Sequence, residues 1–185
     1  MAMATWATED EETITGELVK EMDAVLENPA SPDWTRYYSV HEEARINTGT
    51  RRGKRRQRLD IRIDCLNACP RRRFPFEAKR LGPKHDVKVY LGPEGLGAFV
   101  SGEYGCDQKD GGMLGYVQSE TPNVWSEKIR KALAVQTTAN MVRLAGPWRR
   151  HNDESGLQHL YRTSHSRPAS VGSPIRLFHT LLQFN

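Results

Sequence analysis

Hydrophobic side chains recur at helical spacing in two long segments of the chain. Ile14, Leu18 and Met22 are four residues apart within residues 9–27, and acidic residues fill the first turn of this segment, which is typical of an amphipathic helix. The longest helical pattern begins at Pro122 and continues through "NVWSEKIRKALAVQTTANMVRLA" to "GPW", where glycine and proline are expected to end it. The pattern therefore predicts one helix near the start of the chain and a longer one in its second half.

A shorter helix is predicted over residues 34–47, "WTRYYSVHEEARIN", between the break "NPASPD" and Gly49. Several of its side chains would share one helical face: Tyr37, Val40, His41 and Ala44. The segment "VKVYLG" at residues 87–92 is compatible with a short strand or with the end of a helix.

Alternation of apolar and charged residues marks two strands in the first half of the chain. The pattern occurs in "RLDIRID" (58–64) and in "RRFPFEAKRL" (72–81), and the intervening "CLNACP" predicts a hairpin. A glycine-bounded strand, "GGMLGYVQS", is expected before the long helix. Two closing strands, "LQHLYRTSHS" and "PIRLFHTLLQF", follow it, the first at a sheet edge with a polar face.

These elements predict a mixed α/β fold, with a central sheet flanked by helices. A length of 185 residues favours a single domain. Within it we expect an N-terminal helical extension over residues 1–33, a core over residues 36–140 and closing strands over residues 155–185.

The composition is polar, with 37% hydrophobic residues and a mean hydropathy of −0.68, yet four Trp, six Tyr and five Phe argue against disorder. No apolar run approaches the ~20 residues of a membrane span, and the first residues lack the pattern of a signal peptide. We therefore expect a cytoplasmic protein with no membrane partner. Three cysteines do not make a disulfide framework, and their spacing does not favour a zinc site.

Charge is distributed unevenly along the chain. Residues 1–50 contain eleven acids and three Lys or Arg, whereas residues 51–84 contain thirteen of the 27 Lys and Arg and three acids. A concentrated basic patch is typical of a protein that binds nucleic acid, although a solvated basic loop has the same composition. The predicted nucleic-acid contacts are Arg51, Arg52, Lys54, Arg55, Arg56, Arg58, Arg71, Arg72 and Arg73.

The predicted hairpin brings acids and a lysine together. If its connection is centred near Cys69, antiparallel pairing sets Asp60 roughly opposite Ala78, beside Glu77 and Lys79, while Asp64 falls near Phe74 and closer to the turn. Glu77 and Lys79 are two residues apart, so their side chains leave the same face of their strand. We therefore expect Asp60, Glu77 and Lys79 to converge.

Two neighbouring carboxylates raise each other's pKa unless a cation lies between them. Their hard oxygen ligands suit Mg²⁺ or Mn²⁺, and a lysine beside such a metal could hold the attacking water or stabilise charge on a phosphate. Ordinary cross-strand ion pairs at a protein surface would give the same pattern of residues. Taken alone, the pattern favours these ordinary pairs over a metal site.

At these residues the sequence resembles the PD-(D/E)XK nuclease superfamily. "RLDIRI" followed by "FPFEAKRL" is similar to its metal-binding hairpin, with Leu59 where the literal motif has proline. The resemblance covers about residues 36–140 and implies a restriction-endonuclease-like core. It also implies that Asp60, Glu77 and the Ala78 carbonyl bind metal and that Lys79 is the catalytic lysine. Many members add a glutamate from the first core helix, for which we select Glu43 over Glu42.

The function expected from this resemblance is a Mg²⁺- or Mn²⁺-dependent nuclease, most simply a DNA endonuclease, acting in restriction or antiviral defence. It would work as a homodimer or as a subunit of a larger complex. The alternative is a catalytically silent subunit that binds nucleic acid or supports assembly and keeps the nuclease scaffold. RNA remains an alternative substrate.

Three further polar residues are weaker candidates. His165 and Arg167, near the end of the first closing strand, could contact phosphate, although a polar face on an edge strand is the favoured interpretation. Gln118 could add a polar contact at the site, although a solvent-facing side chain is favoured there.

Overall fold

The strands form one mixed β-sheet, and the helices pack against it. The structure, a computed structural model, describes residues 6–45, 58–136, 144–151 and 156–184. The helices are α1 (Glu11–Glu27), α2 (Val87–Leu91), α3 (Leu96–Ser101) and α4 (Pro122–Gln136), with 3-10 turns at Trp6–Thr8 and Asp33–Tyr37. The strands are β1 (Tyr38–Arg45), β2 (Arg58–Cys65), β3 (Arg72–Leu81), β4 (Asp110–Val117), β5 (Leu144–Arg150), β6 (Leu160–His165) and β7 (Ile175–Gln183).

The sheet has the strand order β1-β2-β3-β4-β7-β6-β5. β4 pairs in parallel with β3 and with β7, and the other pairs are antiparallel. The predicted mixed α/β fold with a central sheet flanked by helices is thus confirmed. The predicted helix at the start of the chain and the strands of the hairpin are also present, and "VKVYLG" forms the whole of helix α2 and its C-cap.

Two helix predictions are wrong. The described part of segment 34–47, residues 34–45, does not form a helix: a 3-10 turn ends at Tyr37, and β1 follows as an edge strand paired with β2. Residues 46 and 47 lie outside the described residues. Backbone pairing with the neighbouring strand outweighs the weak helical spacing of this segment. The predicted long helix corresponds to α4, Pro122–Gln136, and residues 137–143 lie outside the described residues. The last part of the prediction is wrong, because Leu144–Arg150, which contains "GPW", forms β5. Proline is tolerated there because β5 is the other edge strand.

The first closing strand, β6, is not at the sheet edge as predicted, because β5 covers its far side. The polar residues of β6 and β7 instead form a chain of hydrogen bonds in the core. His179 contacts the Tyr90 hydroxyl through Nδ1 (2.9 Å) and the Thr163 hydroxyl through Nε2 (2.7 Å), and Thr163 also contacts His165 Nε2 (2.7 Å). All four side chains are buried.

Apolar packing occurs on both sides of the sheet. The larger cluster includes Leu81, Phe99 and Ile129, and involves α2, α3 and α4. The smaller one lies under α1, where Ile14 packs with Ile61, Ala78, Leu114 and Tyr116. Across the described residues, none of the helices has the length and apolarity that a membrane crossing requires.

We predict that acid destabilises the fold through the buried histidines. Burial lowers the pKa of His165 from 6.5 to about 4, so between these pH values the unfolded chain binds a proton that the folded chain does not. The free energy of unfolding should therefore fall as the pH falls from 6.5 to 4, by at most about 1.4 kcal/mol per pH unit for one histidine.

Urea unfolding at pH 7, 6 and 5 measures this dependence in the wild type and in His165→Gln, whose amide can still accept a hydrogen bond from Thr163. The variant should lose less stability on acidification than the wild type. Equal losses in both proteins would contradict the assignment.

Candidate active site

The candidate site lies where β2 parts from β3. The two strands pair from Ile61 and Phe76 towards the hairpin turn, and within the described residues the rest of β3 has no strand partner on that side. Two carboxylates take the place of the missing carbonyls: Asp60 Oδ2 accepts from the Ala78 N–H at 2.6 Å, and Glu11 Oε2 accepts from the Arg80 N–H at 3.2 Å. Backbone amides of β3 that lack a strand partner therefore hold both acids in place. We call the point where the two strands separate the fork, and the side chains of Glu11, Asp60, Glu77 and Lys79 the fork cluster.

The pairing register differs from the predicted one by one residue. Ile61 pairs with Phe76, which sets Asp60 across from Glu77 instead of Ala78, and Asp64 pairs with Arg73 instead of Phe74. The hairpin connection is centred between Ala68 and Cys69 instead of at Cys69, and this moves each pairing partner by one residue. The convergence survives, because the Asp60 side chain still reaches the Ala78 amide.

Lys79 is the cation at the centre of the cluster. Its ammonium group donates to Glu77 Oε1 (2.7 Å), to Glu11 Oε1 (2.9 Å) and to the Ala78 carbonyl (2.7 Å). The structure thus brings Glu77 and Lys79 together as predicted. Glu11, from the first turn of α1, joins them and was not predicted from the sequence. An acid 68 positions away from Lys79 gives no local signal of this contact.

The carboxylates are held in an environment that disfavours their charges. Burial, followed by the charge of Asp60, raises the pKa of Glu77 to about 8, and burial likewise raises the pKa of Asp60 despite its hydrogen bond from Ala78. Burial acts to lower the pKa of Lys79, but the charges of Glu77 and Glu11 outweigh it and raise that pKa. One ammonium group therefore faces three carboxylates, and burial favours the protonated form of Glu77.

One atom of the cluster is left without a partner. Glu77 Oε2 is buried and accepts no hydrogen bond from any described residue. The Tyr104 hydroxyl approaches the Glu77 carboxylate without adopting hydrogen-bond geometry to Oε2, and its pKa is raised by burial first and then by Glu77 and Asp60. A buried, unsatisfied carboxylate oxygen is a position where a cation would be stabilised.

Tyr104 belongs to a loop that Arg167 holds in place. The Arg167 guanidinium donates to the backbone carbonyls of three loop residues, Tyr104, Cys106 and Gln108, and to that of Phe99 in α3, at 2.9–3.4 Å. His165 and Arg167 are both buried in internal contacts, which speaks against the alternative that they contact phosphate. Gln118 is also not solvent-facing: it is half-buried and donates to the Trp6 and Glu9 carbonyls.

Glu43 lies on β1 and not on a helix, so its predicted position is wrong. It is exposed, has a φ of 47° and forms an ion pair with Arg58. It nevertheless lines the same acidic cleft as Asp60, of about 360 Å³, together with Glu42. Its charge contributes to the raised pKa of Asp60, after burial and the charge of Glu11.

Among the described residues, those predicted to contact nucleic acid lie in two places, beside the candidate site and at the hairpin turn. Arg58 is next to the site, where it pairs with Glu43. Arg71, Arg72 and Arg73 are exposed at the hairpin turn, and Arg73 is ~17 Å along β3 from Ala78. The remaining ones lie outside the described residues: Arg51, Arg52, Lys54, Arg55 and Arg56.

Asp60, Glu77 and the Ala78 carbonyl are a donor set that suits a hard divalent cation. Mg²⁺ keeps several waters, so one or two carboxylates suffice for it. Within the described part of the chain, no cluster of three or more His, Cys, Asp or Glu side chains is arranged to hold a metal ion. The unpartnered Glu77 Oε2 and the excess of negative charge are the features that fit a cation here.

Comparisons with family models, with curated proteins and with solved structures give no match for this chain.

We predict that Glu11 supports the fork and that its neighbour does not. Glu11→Ala removes hydrogen bonds to Lys79 and to the Arg80 amide and should lower the free energy of unfolding by about 1–3 kcal/mol. Glu12→Ala, at the exposed next position, is the matched control and should change it by less than about 0.5 kcal/mol. Urea unfolding of both variants tests this, and equal effects would show that Glu11 has no special role.

We also predict a pH dependence that originates at Glu77. Because its pKa in the folded chain is about 8 against an ordinary 4.5, the folded state holds a proton that the unfolded state releases. The free energy of unfolding should therefore decrease as the pH rises from 6.5 to 8. Thermal unfolding in chelator should show this decrease in the wild type, and Glu77→Gln should flatten it. A decrease of the same size in Glu77→Gln would contradict the shifted pKa.

Proposed function

We propose that this chain is a metal-dependent nuclease that hydrolyses phosphodiester bonds, with DNA as the favoured substrate and a restriction-endonuclease-like core. The observation that carries the proposal is the fork cluster, in which Lys79 meets three carboxylates and the buried Glu77 Oε2 has no partner among the described residues. Action in restriction or antiviral defence, as a homodimer or as part of a larger complex, is part of the same proposal.

Asp60 and Glu77, with the Ala78 carbonyl, are the groups that would hold the divalent cation. When bound, Mg²⁺ or Mn²⁺ would polarise the phosphate and lower the pKa of a coordinated water. The raised pKa of Lys79 makes it a poor base and a persistent cation, so its role is to stabilise negative charge on the phosphate. Tyr104 stays protonated and helps to exclude water from Glu77.

A second candidate function is a catalytically silent subunit that binds nucleic acid or supports assembly. The observation that favours it is the saturation of Lys79, whose ammonium group already donates to Glu77, Glu11 and the Ala78 carbonyl. A lysine that is fully engaged inside the protein can serve the fold without touching a substrate.

Cleavage assays separate the two candidates. Plasmid, linear duplex and single-stranded DNA and RNA are incubated with Mg²⁺ or Mn²⁺, using the wild type, Asp60→Asn, Lys79→Met and Lys20→Met, an exposed lysine on α1 as control. We expect metal-dependent cleavage by the wild type and by Lys20→Met, and a loss of about 100-fold or more in the other two.

Cleavage that persists in Asp60→Asn and Lys79→Met would contradict the site assignment. Binding of nucleic acid without any cleavage would favour the silent subunit. Circular dichroism of each variant verifies that the fold is retained.

A further inference from the structure

Two adjoining clefts run from the hairpin turn towards the candidate site. The wide cleft, of about 970 Å³, lies at the turn between β2 and β3 and is bounded on its other side by residues 107–110. The narrow cleft, of about 300 Å³, lies across β1, β2 and β3. Arg73, Asp107 and Gln108 line both clefts, so the two form one path.

The path is lined mainly by cations. Arg71, Arg72, Arg73 and Lys109 line the wide cleft, and the narrow cleft adds Arg45 and Arg62 from the two neighbouring strands. The described lining residues include two carboxylates, of which Asp110 is paired with Arg176. Three arginines from three adjacent strands thus converge on the narrow cleft, an arrangement that favours binding of a phosphodiester backbone.

Arg62 is held in a fixed orientation within this path. Its Nε and Nη2 donate to Asp64 at 2.8 and 3.2 Å, and Asp64 is buried. Even when Asp64 is included, the cations outnumber the carboxylates by three. A guanidinium oriented before binding loses less side-chain entropy when it meets a phosphate.

Aromatic rings stand at the wide end of the path. Tyr38 and Phe74 line the wide cleft, and the exposed Trp34 packs edge-on against Tyr38 with ring centroids 5.8 Å apart. Grooves that combine a basic lining with aromatic rings are the usual design for single-stranded nucleic acid, because bases stack on the rings while phosphates meet the cations.

The narrow end of the path reaches the candidate site. Pro75 lines the narrow cleft and lies two residues, or ~7 Å along β3, before Glu77 on the same face. The opposite wall is the loop held by Arg167, which continues from Tyr104 beside Glu77 to Gly105 in the cleft. A strand lying in the cleft would therefore pass directly on to the acids.

We propose that the two clefts bind one strand of single-stranded nucleic acid, with its bases at Tyr38 and Phe74 and its phosphates at Arg45, Arg62 and Arg73. The narrow cleft, of about 300 Å³, has the volume of a small-ligand pocket, which favours a single strand over a duplex. This proposal rests on the proposed nuclease function for the direction of the strand towards Glu77, and its binding claim is tested without cleavage.

The native cysteines provide the test. All three line the path: Cys65 and Cys69 in the wide cleft and Cys106 in the narrow one, with Cys69 and Cys106 exposed. The unmodified protein is alkylated in chelator, which prevents metal-dependent cleavage, and each cysteine is quantified by mass spectrometry. At ten times the Kd of a single-stranded DNA or RNA oligonucleotide, alkylation of Cys69 and Cys106 should slow roughly tenfold by mass action.

Three comparisons between ligands identify what protects the cysteines from alkylation. A duplex of the same sequence should leave Cys106 at its unprotected rate, and polyphosphate should protect less than either oligonucleotide because it has no bases to stack. Comparison of DNA with RNA identifies the favoured strand. Protection by the duplex or by polyphosphate equal to that by a single strand, or no protection of Cys106, would overturn the proposal.

Variants test the phosphate contacts independently. Arg45→Gln and Arg62→Gln should each weaken oligonucleotide binding and reduce the slope of log K against log salt by about 0.7. Arg130→Gln, on the exposed face of α4, should change neither. Arg62→Gln removes the guanidinium that donates to the buried Asp64, so Arg45→Gln is the decisive variant if Arg62→Gln unfolds. A salt slope unchanged in Arg45→Gln would overturn the assignment.

The possible outcomes distinguish a failure of the strand-binding proposal from a failure of the nuclease proposal. Protection of both cysteines with no metal-dependent cleavage in any assay would support the strand-binding path and refute the enzyme. Cleavage without cysteine protection would support the enzyme and refute the path.

Discussion

The structure around the candidate site depends on one backbone constraint: within the described part of the chain, pairing of β3 with β2 stops at Phe76, before β3 ends. The amides of Ala78 and Arg80 then require acceptors, and the carboxylates of Asp60 and Glu11 provide them. Each carboxylate brings a negative charge to a half-buried position. Lys79 is the compensating cation, and the remaining features of the site follow from this arrangement of charges.

Burial and neighbouring charges act with different weight on the pKa values of Glu77 and Lys79. Lys79 gains more from its neighbours than it loses by burial, whereas burial outweighs the attraction of Lys79 at Glu77, so both pKa values rise. The cluster is therefore a place where negative charge is concentrated and only partly compensated. Such a site has a physical use for an additional cation, and this is why a structural ion-pair network and a metal centre are hard to tell apart from residue types alone.

The sequence predicted those parts of the structure that depend on local pattern. Alternation was sufficient to identify β2, β3 and the convergence of Asp60 with Glu77 and Lys79, because side-chain direction in a strand follows directly from spacing. The register was off by one, since the shape of the turn determines it. Residues 34–47 were misassigned because pairing with β2 is a tertiary effect. Glu11 was missed because its contacts join positions far apart in the chain.

The buried guanidinium of Arg167 has a consequence for the order in which the molecule is completed. It fixes the loop carrying Tyr104, yet it comes about sixty positions later in the chain, and β4 at the middle of the sheet likewise pairs with β7 near residue 183. During synthesis the basic segment around the hairpin is therefore made long before the loop opposite it is held in place. A nascent chain has the charges that attract a polyanion, but it acquires a shaped cleft only once its last strand has joined the sheet.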